Sequence, residues 1–443
     1  MGGGIIVNLY LLLGITMIFL SINYLISDKD ILNPAFVFAG VNFIYIVTCC
    51  ISNNLYRVEI CAKTIYVISV GLVIFTISNI IFRHFSKCNK SSIKFVCESI
   101  KVNKWFVIFL LLLMVIVAFV MARHIISVAS RYGGEGNLAL SIGIYDNLSK
   151  FSDISTGTPI LYSIMLFPIR ASAYIFVAII INNYFAKKRF DRFLLLYCAL
   201  YLPFTLLSGG RSELIRFLMA VLVDILIIKR KVAGSYKREN FKNLIRIVLF
   251  VVCMIIISFP VLNLIGKSRA LSSNAPLMHL YKYIGGPIYN LDSFLSSIIY
   301  KSEYWGQETF QGLYSFLGNI FHIKQFSYRL HIPISIINGI DLGNVYTMYY
   351  MFIEDFGYAG LLLVFPICFY YFYSYGKLID YSKNKTPLGI NLFVYSYMFN
   401  ALTMLLFSNR FYENMLSYNF LKLWISFYIV WIIIRKVRFK CVT

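Results

Sequence analysis

Runs of about 20 consecutive apolar residues recur along this 443-residue chain, and they constrain its fold more than any other feature. A helix of that length crosses the hydrocarbon core of a bilayer, whereas a surface helix of a soluble protein interleaves polar residues. Charged residues make up only 14% of the chain, well below the share of about a quarter in soluble domains. The pattern therefore predicts a polytopic membrane protein.

Eleven segments have the length and composition of membrane-spanning helices. They are 4–26, 34–52, 64–82, 105–122, 160–184, 193–208, 214–228, 247–265, 356–375, 390–408 and 415–434. A twelfth span fits within 276–300. The first segment is too long for the apolar core of a cleaved signal peptide, so it is predicted to be retained. We expect an all-α protein of 11 or 12 transmembrane helices, with residues 1–443 forming a single integral membrane domain.

The distribution of Lys and Arg between the predicted spans sets the orientation. One set of alternating segments carries 25 of the 41 Lys and Arg residues. These segments are 27–33, 83–104, 187–192, 229–246, 376–389 and 435–443. The opposite short segments 53–63 and 209–213 carry two and one. Because basic loops stay on the cytoplasmic side, the rich set is predicted to be cytoplasmic, and regions 123–159, 209–213 and 266–345 extracytoplasmic.

The net charge of +22 does not indicate nucleic-acid binding in this chain, and the nine cysteines indicate neither a disulfide framework nor a metal site. The basic residues lie in short loops between apolar runs, which argues against nucleic-acid binding. Region 266–345 contains no cysteine, so no disulfide framework is expected there. No His or Cys has metal-ligand spacing with another, and neither a metal nor a cofactor is expected.

The longest predicted loop, 266–345, is the main extracytoplasmic (periplasmic) region. Loops longer than about 15 residues are usually functional or disordered. This one is rich in Tyr, Phe and Trp, which makes it too apolar to be a disordered segment. We therefore expect it to pack on the outer membrane surface, with interfacial helices at 276–300 and 309–321.

A Ser-Gly-Gly-Arg-Ser turn at 208–212 separates the sixth and seventh predicted spans. The backbone N–H groups of a glycine turn, a helix N-terminus and the guanidinium of Arg211 together form an anion-binding site. Arg216 follows in the same helix and is a further candidate for it. The alternative is a tight hairpin whose arginine extends to the membrane interface.

A second basic segment, Gly-Lys-Ser-Arg at 266–269, follows the eighth predicted span on the predicted outer side. Lys267 and Arg269 interrupt the positive-inside trend. They are candidates for a second phosphate-binding group beside Arg211. Binding of lipid headgroups is the alternative interpretation.

A third polar group precedes the ninth predicted span. It begins with Asn344, Tyr346 and Thr347 and continues with Glu354 and Asp355. Adjacent carboxylates at the mouth of a span are unfavourable when they are buried and unpaired. We therefore expect one of them to act as a general base or to pair with an arginine. The alternative is an acidic helix start that the helix dipole favours.

Single charges near or within other predicted spans are further candidates. Arg170 lies within the fifth span and is expected to line a polar cavity. Arg410 follows the tenth span and either joins the substrate site or anchors the interface. Asp224 and Lys422 lie towards the cytoplasmic ends of their spans, where they are expected to extend to the interface or to pair.

These elements, in this order, resemble the oligosaccharide repeat-unit polymerases, the O-antigen polymerase (Wzy-type) family. The matching stretches are the turn at 208–212, Tyr-Ile-Gly-Gly at 283–286, Leu-Asp-Ser-Phe at 291–294, Asn-Val-Tyr-Thr at 344–347 and Asp-Phe-Gly-Tyr-Ala-Gly at 355–360. They cover the chain from about residue 200 to residue 375. The first half is similar only in hydropathy.

The resemblance implies a glycosyltransferase of the bacterial cytoplasmic (inner) membrane. Its substrates are undecaprenyl-diphosphate-linked oligosaccharides, which it polymerises on the outer leaflet into O-antigen or capsule-type polysaccharide. The expected catalytic residues are Arg211, Asp355, Glu354 and Tyr346. The expected diphosphate- or sugar-binding residues are Arg269, Lys267, Arg216, Arg170, Arg410, Tyr283, Asn344 and Thr347. Besides substrate and bilayer, a chain-length-determinant membrane protein is an expected partner.

Two other functions remain open. The similar O-antigen ligases carry His-Asn where Tyr346 and Thr347 stand in this chain, and the missing histidine argues against a ligase. A flippase for lipid-linked oligosaccharides needs a cationic cavity that opens to both sides, and usually two related halves. No internal repeat is evident, and a long loop on one side fits catalysis on one face better.

Overall fold

The structure, a computed structural model, describes residues 7–85, 98–134, 136–152, 156–207, 209, 212–233, 278, 281–297, 302–326, 328, 332–379 and 388–439. The α-helices are α1 (Val7–Ile26), α2 (Pro34–Tyr56), α3 (Ala62–Phe85), α4 (Lys104–Ser130), α5 (Leu138–Phe151), α6 (Ile160–Lys187), α7 (Arg192–Leu206), α8 (Ser212–Ala233), α9 (Gly286–Ser296), α10 (Gln311–Phe321), α11 (Met348–Phe356), α12 (Val364–Ile379), α13 (Ile390–Thr403), α14 (Arg410–Met415) and α15 (Tyr418–Phe439). The predicted span 247–265 lies outside the described residues.

Seven helical segments of the described chain are long and apolar enough to cross a membrane. They are Val7–Ile26, Pro34–Tyr56, Ala62–Phe85, Lys104–Ser130, Ile160–Lys187, Met348–Ile379 and Tyr418–Lys436. The chain is thus a mostly helical, polytopic membrane protein, as its hydropathy predicts. The count of 11 or 12 spans stays a prediction, because α7 has only 15 residues and α13 only 14.

The chain divides into two compact units. Unit 1 comprises Met1–Lys90, Ser273–Ile379 and Ala401–Phe420. Unit 2 comprises Ser91–Ser272, Asp380–Asn400 and Leu421–Thr443.

Helix α2 of unit 1 shows how local sequence sets the helix ends. The side-chain oxygen of Asn33 accepts hydrogen bonds from the backbone N–H groups of Ala35 (3.0 Å) and Phe36 (3.4 Å). Pro34 occupies the first turn, where no N–H donor is needed. The helix ends at Arg57, whose left-handed backbone (φ 48°) stops the helical hydrogen-bond pattern.

A network of buried amides joins α1, α2 and α3. Asn23 donates to the hydroxyl of Thr76 (2.8 Å), and Asn79 donates to the side-chain oxygen of Asn23 (3.1 Å). Asn33 in turn donates to Asn79 (2.8 Å). Each hydrogen bond between apolar helices in a membrane contributes about 1 kcal/mol and fixes which helix faces meet.

Helix α9 differs from the surface segment predicted for 276–300, and a surface location is not confirmed for this stretch. Most of its residues are buried in unit 1, after a π-helical turn at Tyr281–Gly285. The carboxylate of Asp292 accepts hydrogen bonds from the backbone N–H of Cys61 (2.7 Å) and the hydroxyl of Thr64 (2.5 Å) at the start of α3. The hydroxyl of Tyr289 donates to the carbonyl of Cys49 on α2 (2.8 Å). These polar partners allow the segment to be buried.

The all-α prediction misses a short antiparallel hairpin in unit 1. Strands β1 (Ser335–Ile337) and β2 (Ile340–Gly343) flank an Asn-Gly turn. Both turn residues have positive φ, 51° at Asn338 and 79° at Gly339. This is the backbone geometry that Asn-Gly favours between paired strands.

The predicted ninth span, 356–375, is interrupted near its start. A 3₁₀ turn (Gly357–Leu363) separates α11 from α12. Gly357 has φ 60° and ψ −155°, a conformation that is essentially restricted to glycine. A Cβ atom at Gly360 would lie 2.1 Å from the carbonyl oxygen of Phe352. The two glycines of the Asp-Phe-Gly-Tyr-Ala-Gly stretch are therefore required by the path of the backbone.

Candidate functional site

The strongest concentration of buried charge in the described part of unit 2 centres on Glu213, in the first turn of α8. One carboxylate oxygen accepts hydrogen bonds from the hydroxyls of Tyr201 (3.0 Å) and Tyr174 (3.3 Å). The other oxygen accepts from a guanidinium nitrogen of Arg216 at 3.1 Å. Glu213 is only 6% exposed, so these donors replace its hydration.

Arg170 joins this group from the interior of α6. Its Nε atom lies 3.0 Å from Glu213 Oε1, with the Arg170 side chain 16% exposed. The distance is that of an ion pair, but the N–H is not directed at that oxygen, so the contact is not a hydrogen bond. The guanidinium therefore keeps donor capacity for a further acceptor.

Arg216 is held on its other side by α13. Its guanidinium donates to the hydroxyl of Tyr397 (2.6 Å) and lies 4.7 Å from the centroid of that ring. The aromatic ring therefore stabilises the cation electrostatically as well as through the hydrogen bond.

We call Arg170, Glu213 and Arg216, with Tyr174, Tyr201 and Tyr397, the arginine cluster. Aromatic rings surround it: Tyr174 lies 5.3 Å from Phe217 and 6.1 Å from Phe427, between ring centroids. Two guanidinium groups and one carboxylate leave these three ionic side chains with one net positive charge. In surroundings of low polarity such a charge attracts an anion strongly, and guanidinium groups suit phosphate oxygens.

The predicted Gly-Gly-Arg turn lies directly before α8. Gly209 has φ 74°, and a Cβ there would lie 2.5 Å from Cβ of Asp146 on α5. Glycine is therefore needed both for the backbone conformation and for the close approach of α5. Asp146 is only 1% exposed. Arg211 lies outside the described residues, as do Lys267 and Arg269, so their predicted roles stay predictions.

Asp355, a predicted general base, lies at the end of α11 in unit 1. One of its oxygens accepts from the hydroxyl of Ser302 (2.7 Å) and the backbone N–H of Glu308 (3.1 Å). The other accepts from the backbone N–H of Thr309 at 2.6 Å. These bonds fix segment 302–310 on α11, which is a clear structural task for the carboxylate. Its catalytic role stays a prediction.

The other predicted residues of unit 1 fall into two groups. Glu354 and Thr347 are buried on or next to α11, where the Tyr346 ring lies 4.5 Å from that of Tyr350. Asn344 is exposed at the end of the hairpin. Separately, Tyr283 stacks on Phe407 (6.1 Å between centroids), and Arg410 lies over the same ring and pairs with Glu413 at 3.1 Å.

Glu308 is an ionisable group that the sequence pattern does not single out. Burial, together with the neighbouring carboxyls of Asp355 and Glu354, raises the pKa of Glu308 to about 7. It lies in segment 302–310, outside the candidate spans. Within the described residues, no group of three or more His, Cys, Asp or Glu side chains is arranged to hold a metal ion.

The sequence marks both arginines of the cluster as candidates, but not the carboxylate that pairs with them. Glu354 or Asp355 is predicted to act as a general base or to pair with an arginine, and the structure shows Arg170 and Arg216 paired with Glu213. The spacing of Glu213 and Arg216, three residues apart on one helix, is a signal that could have found the pair. The roles of the three tyrosines had no signal of this kind, because they come from three separate helices.

Comparison with known proteins finds no relative of this chain. The chain matches no protein-family model, no curated protein and no solved structure.

Proposed function

We propose that this chain is a membrane glycosyltransferase that polymerises lipid-diphosphate-linked oligosaccharide repeat units on the outer leaflet of the bacterial cytoplasmic membrane. The observation that carries the proposal is the arginine cluster, a buried group with one net positive charge on and around the helix that follows Gly-Gly-Arg in sequence. The resemblance of segments 208–212 and 344–360 to repeat-unit polymerases supports the same function. The proposed partners remain the bilayer, the lipid-linked oligosaccharide and a chain-length-determinant protein.

The arginine cluster suits a diphosphate because its cations are already in place. Glu213 holds Arg170 and Arg216 from one side, and Tyr397 holds Arg216 from another. Binding a diphosphate there therefore requires little reordering of long side chains, which keeps the entropic cost low. The surrounding aromatic rings lower the local polarity and strengthen the attraction.

In the proposed reaction a hydroxyl of the incoming repeat unit attacks the anomeric carbon of the chain on a second lipid diphosphate. A new glycosidic bond forms, and the bond between the anomeric carbon and the diphosphate oxygen breaks. The lipid diphosphate leaves with the electron pair, and Arg170 and Arg216 stabilise its developing charge. The hydroxyl proton passes to a base, a role for which Asp355, Glu354 and Tyr346 stay predicted candidates.

Exposed aromatic rings in unit 1 offer surfaces for sugar. Trp305 is 73% exposed and Tyr304 37% exposed. The ring of Trp305 packs at 5.0 Å against Phe356, which holds it in place. A fixed, exposed ring suits the apolar face of a sugar. We propose that these residues contact the oligosaccharide, together with the predicted Tyr283 and Asn344.

The test is the polysaccharide profile of a strain from which the gene is deleted and then restored as variants. We expect Arg170→Ala and Arg216→Ala to lose the ladder of long polymers, because removing one charge-stabilising donor lowers a rate by about a hundredfold or more. Arg170→Lys keeps the charge without the planar fork and is expected to restore part of the ladder. Immunoblots of membranes check that each variant accumulates.

Arg83→Ala is the matched control, since Arg83 forms an exposed ion pair with Asp28 at 2.9 Å. It is expected to restore the full ladder. The proposal fails if Arg170→Ala and Arg216→Ala both restore it as well. The deletion strain separates the alternatives: a polymerase defect displays single repeat units outside, a flippase defect leaves them on the inner leaflet, and a ligase defect leaves finished polymer on its lipid carrier.

A further inference from the structure

Asp224 is a buried carboxyl in α8 that the arginine cluster does not use. It lies eleven residues after Glu213, about three helical turns further along the helix. The residue is 0% exposed. Neither carboxyl oxygen has a hydrogen-bond partner among the described residues. Asp224 was expected to extend to the interface or to form a pair. It is instead buried, and it forms no pair with the described residues.

The surroundings of Asp224 are apolar. Its neighbours along α8 include Ala220, Val223 and Ile228, which are at most 1% exposed. The hydroxyl of Ser396 on α13 lies beside the carboxyl. That hydroxyl donates to the backbone carbonyl of Phe393 at 3.2 Å. Among the described residues, Asp224 therefore faces the hydroxyl of Ser396 and otherwise apolar side chains.

The charged and titratable side chains on the adjoining helices do not neutralise this carboxyl. Helix α8 packs against α6 and α7. The side chains concerned are Tyr162, Arg170, Tyr174, Tyr184 and Lys187 on α6, Arg192, Tyr197, Cys198 and Tyr201 on α7, Tyr395 and Tyr397 on α13, and Lys229, Arg230 and Lys231 on α8. None of them donates a hydrogen bond to Asp224. Arg170 and Arg216 are engaged with Glu213.

Burial removes the hydration of an ionised carboxylate in such a place, and the described residues supply it with neither a hydrogen-bond donor nor a counter-ion. A neutral carboxyl loses far less on burial, so the folded state favours the protonated form. We propose that Asp224 is a proton-binding site of unit 2, which holds a proton while α8 is packed as described and releases it when the carboxyl reaches water. The packing of α8 is then coupled to proton uptake.

This inference does not rest on the proposed function, and its test needs no activity measurement. Infrared difference spectra of purified protein in detergent compare wild type with Asp224→Asn at about pH 8, where solvated carboxyls are ionised. We expect the wild type to show a carbonyl band of a protonated carboxylic acid that Asp224→Asn lacks. Absence of that band from the wild type overturns the proposal.

Asp292→Asn is the matched control. Asp292 is also buried, but it accepts hydrogen bonds from the backbone N–H of Cys61 and the hydroxyl of Thr64, whereas neither oxygen of Asp224 has a hydrogen-bond partner among the described residues. Replacement of Asp292 should remove no protonated-acid band. A second measurement does not depend on either variant folding: an apolar carbodiimide, which reacts with protonated carboxyls, should modify Asp224 of the wild type at about pH 8. Labelling of other carboxyls with none at Asp224 contradicts the proposal.

Proton binding at Asp224 also predicts how the stability of the protein changes with pH. The carboxyl of Asp224 ionises near pH 4 in an unfolded chain and keeps its proton in the fold. Above about pH 4 the folded state therefore binds more protons, and stability falls as pH rises. The ratio of the folding equilibrium constants of wild type and Asp224→Asn should fall by up to about tenfold per pH unit. If the ratio of the two folding equilibrium constants is constant between about pH 6 and about pH 9, the proposed proton binding is contradicted.

Discussion

Glu213 is the residue on which the geometry of the arginine cluster depends. Its two oxygens contact Arg170, Arg216 and two tyrosines, which lie on α6, α7 and α8. The carboxylate therefore connects three helices of unit 2 and separates two cations that would otherwise repel each other. If the proposed function holds, substrate binding and stability are linked at this one side chain, because the group that positions the cations also compensates their charge.

Replacing Glu213 by Gln is expected to destabilise the protein by roughly 3–5 kcal/mol, the range for breaking a buried ion pair. The amide keeps the shape of the side chain but removes the negative charge with which both Arg170 and Arg216 pair. The measurement is the thermal unfolding midpoint of purified protein in detergent. A multivalent anion such as diphosphate should recover part of the loss, because it can replace the missing negative charge.

Asp28→Asn serves as the control for this substitution. Asp28 pairs with Arg83 at 2.9 Å, but both side chains are about half exposed. An exposed pair contributes at most about 1 kcal/mol, so the midpoint should hardly change. Asn also tolerates the positive φ of 54° at this position. Equal midpoint shifts for Glu213→Gln and Asp28→Asn would show that the cluster contributes no more to stability than an exposed ion pair does.

Segment 302–310 and α11 of unit 1 are expected to respond to pH. Asp355 fixes the segment through three hydrogen bonds, two of them from backbone N–H groups. Glu308 belongs to the same segment, and burial with Asp355 and Glu354 raises its pKa to about 7 from 4.5. When Glu308 ionises, three carboxylates adjoin one another, and the repulsion weakens the contact between segment and helix.

The attachment of segment 302–310 is therefore expected to weaken as pH rises. In the folded state Glu308 keeps its proton up to about pH 7, whereas the unfolded state loses it near pH 4.5. The destabilisation begins near pH 4.5, grows until about pH 7 and then stays constant. Hydrogen exchange at the amides of Glu308 and Thr309, corrected for intrinsic rates, should show increasing opening over this window. Glu308→Gln should remove the dependence, and an unchanged profile in that variant contradicts the assignment.

How far the sequence predicts each element depends on what forms it. The long apolar helices α1, α2, α3, α4 and α6 follow from hydropathy, because lipid selects apolar length independently of the rest of the chain. The hairpin is missing from the all-α prediction, although Asn338-Gly339 is a strong local signal for it. The burial of α9 has no local signal. It depends on Asp292 meeting the start of α3, more than 200 residues away in sequence.

The partners of the residues in the candidate site are even harder to predict from the sequence. A charge inside an apolar run marks Arg170 and Arg216 as unusual, and that much is visible in the sequence. Their surroundings are not, because Tyr397 is 181 residues from Arg216 and Tyr174 is 39 residues from Glu213. Hydropathy averages describe how a segment partitions into lipid, but not which side chain of another helix it meets. The pairing of Glu213 therefore emerges only from the folded unit.

For the molecule as a whole, the proposed function requires the turn at 208–212 and the region near residue 300 to face away from the cytoplasm. The prediction rests on 25 of 41 Lys and Arg residues in one set of alternating segments. A reporter enzyme that folds only outside the cytoplasm should be active when fused after residue 300, and inactive after residue 104 or at the C-terminus. A fluorescent protein that folds only inside should give the opposite pattern at the same positions, which controls for expression of each fusion. Reporter activity reversed at residue 300 would place this region in the cytoplasm, where undecaprenyl-diphosphate-linked units on the outer leaflet are out of reach, and the polymerase proposal would then be wrong.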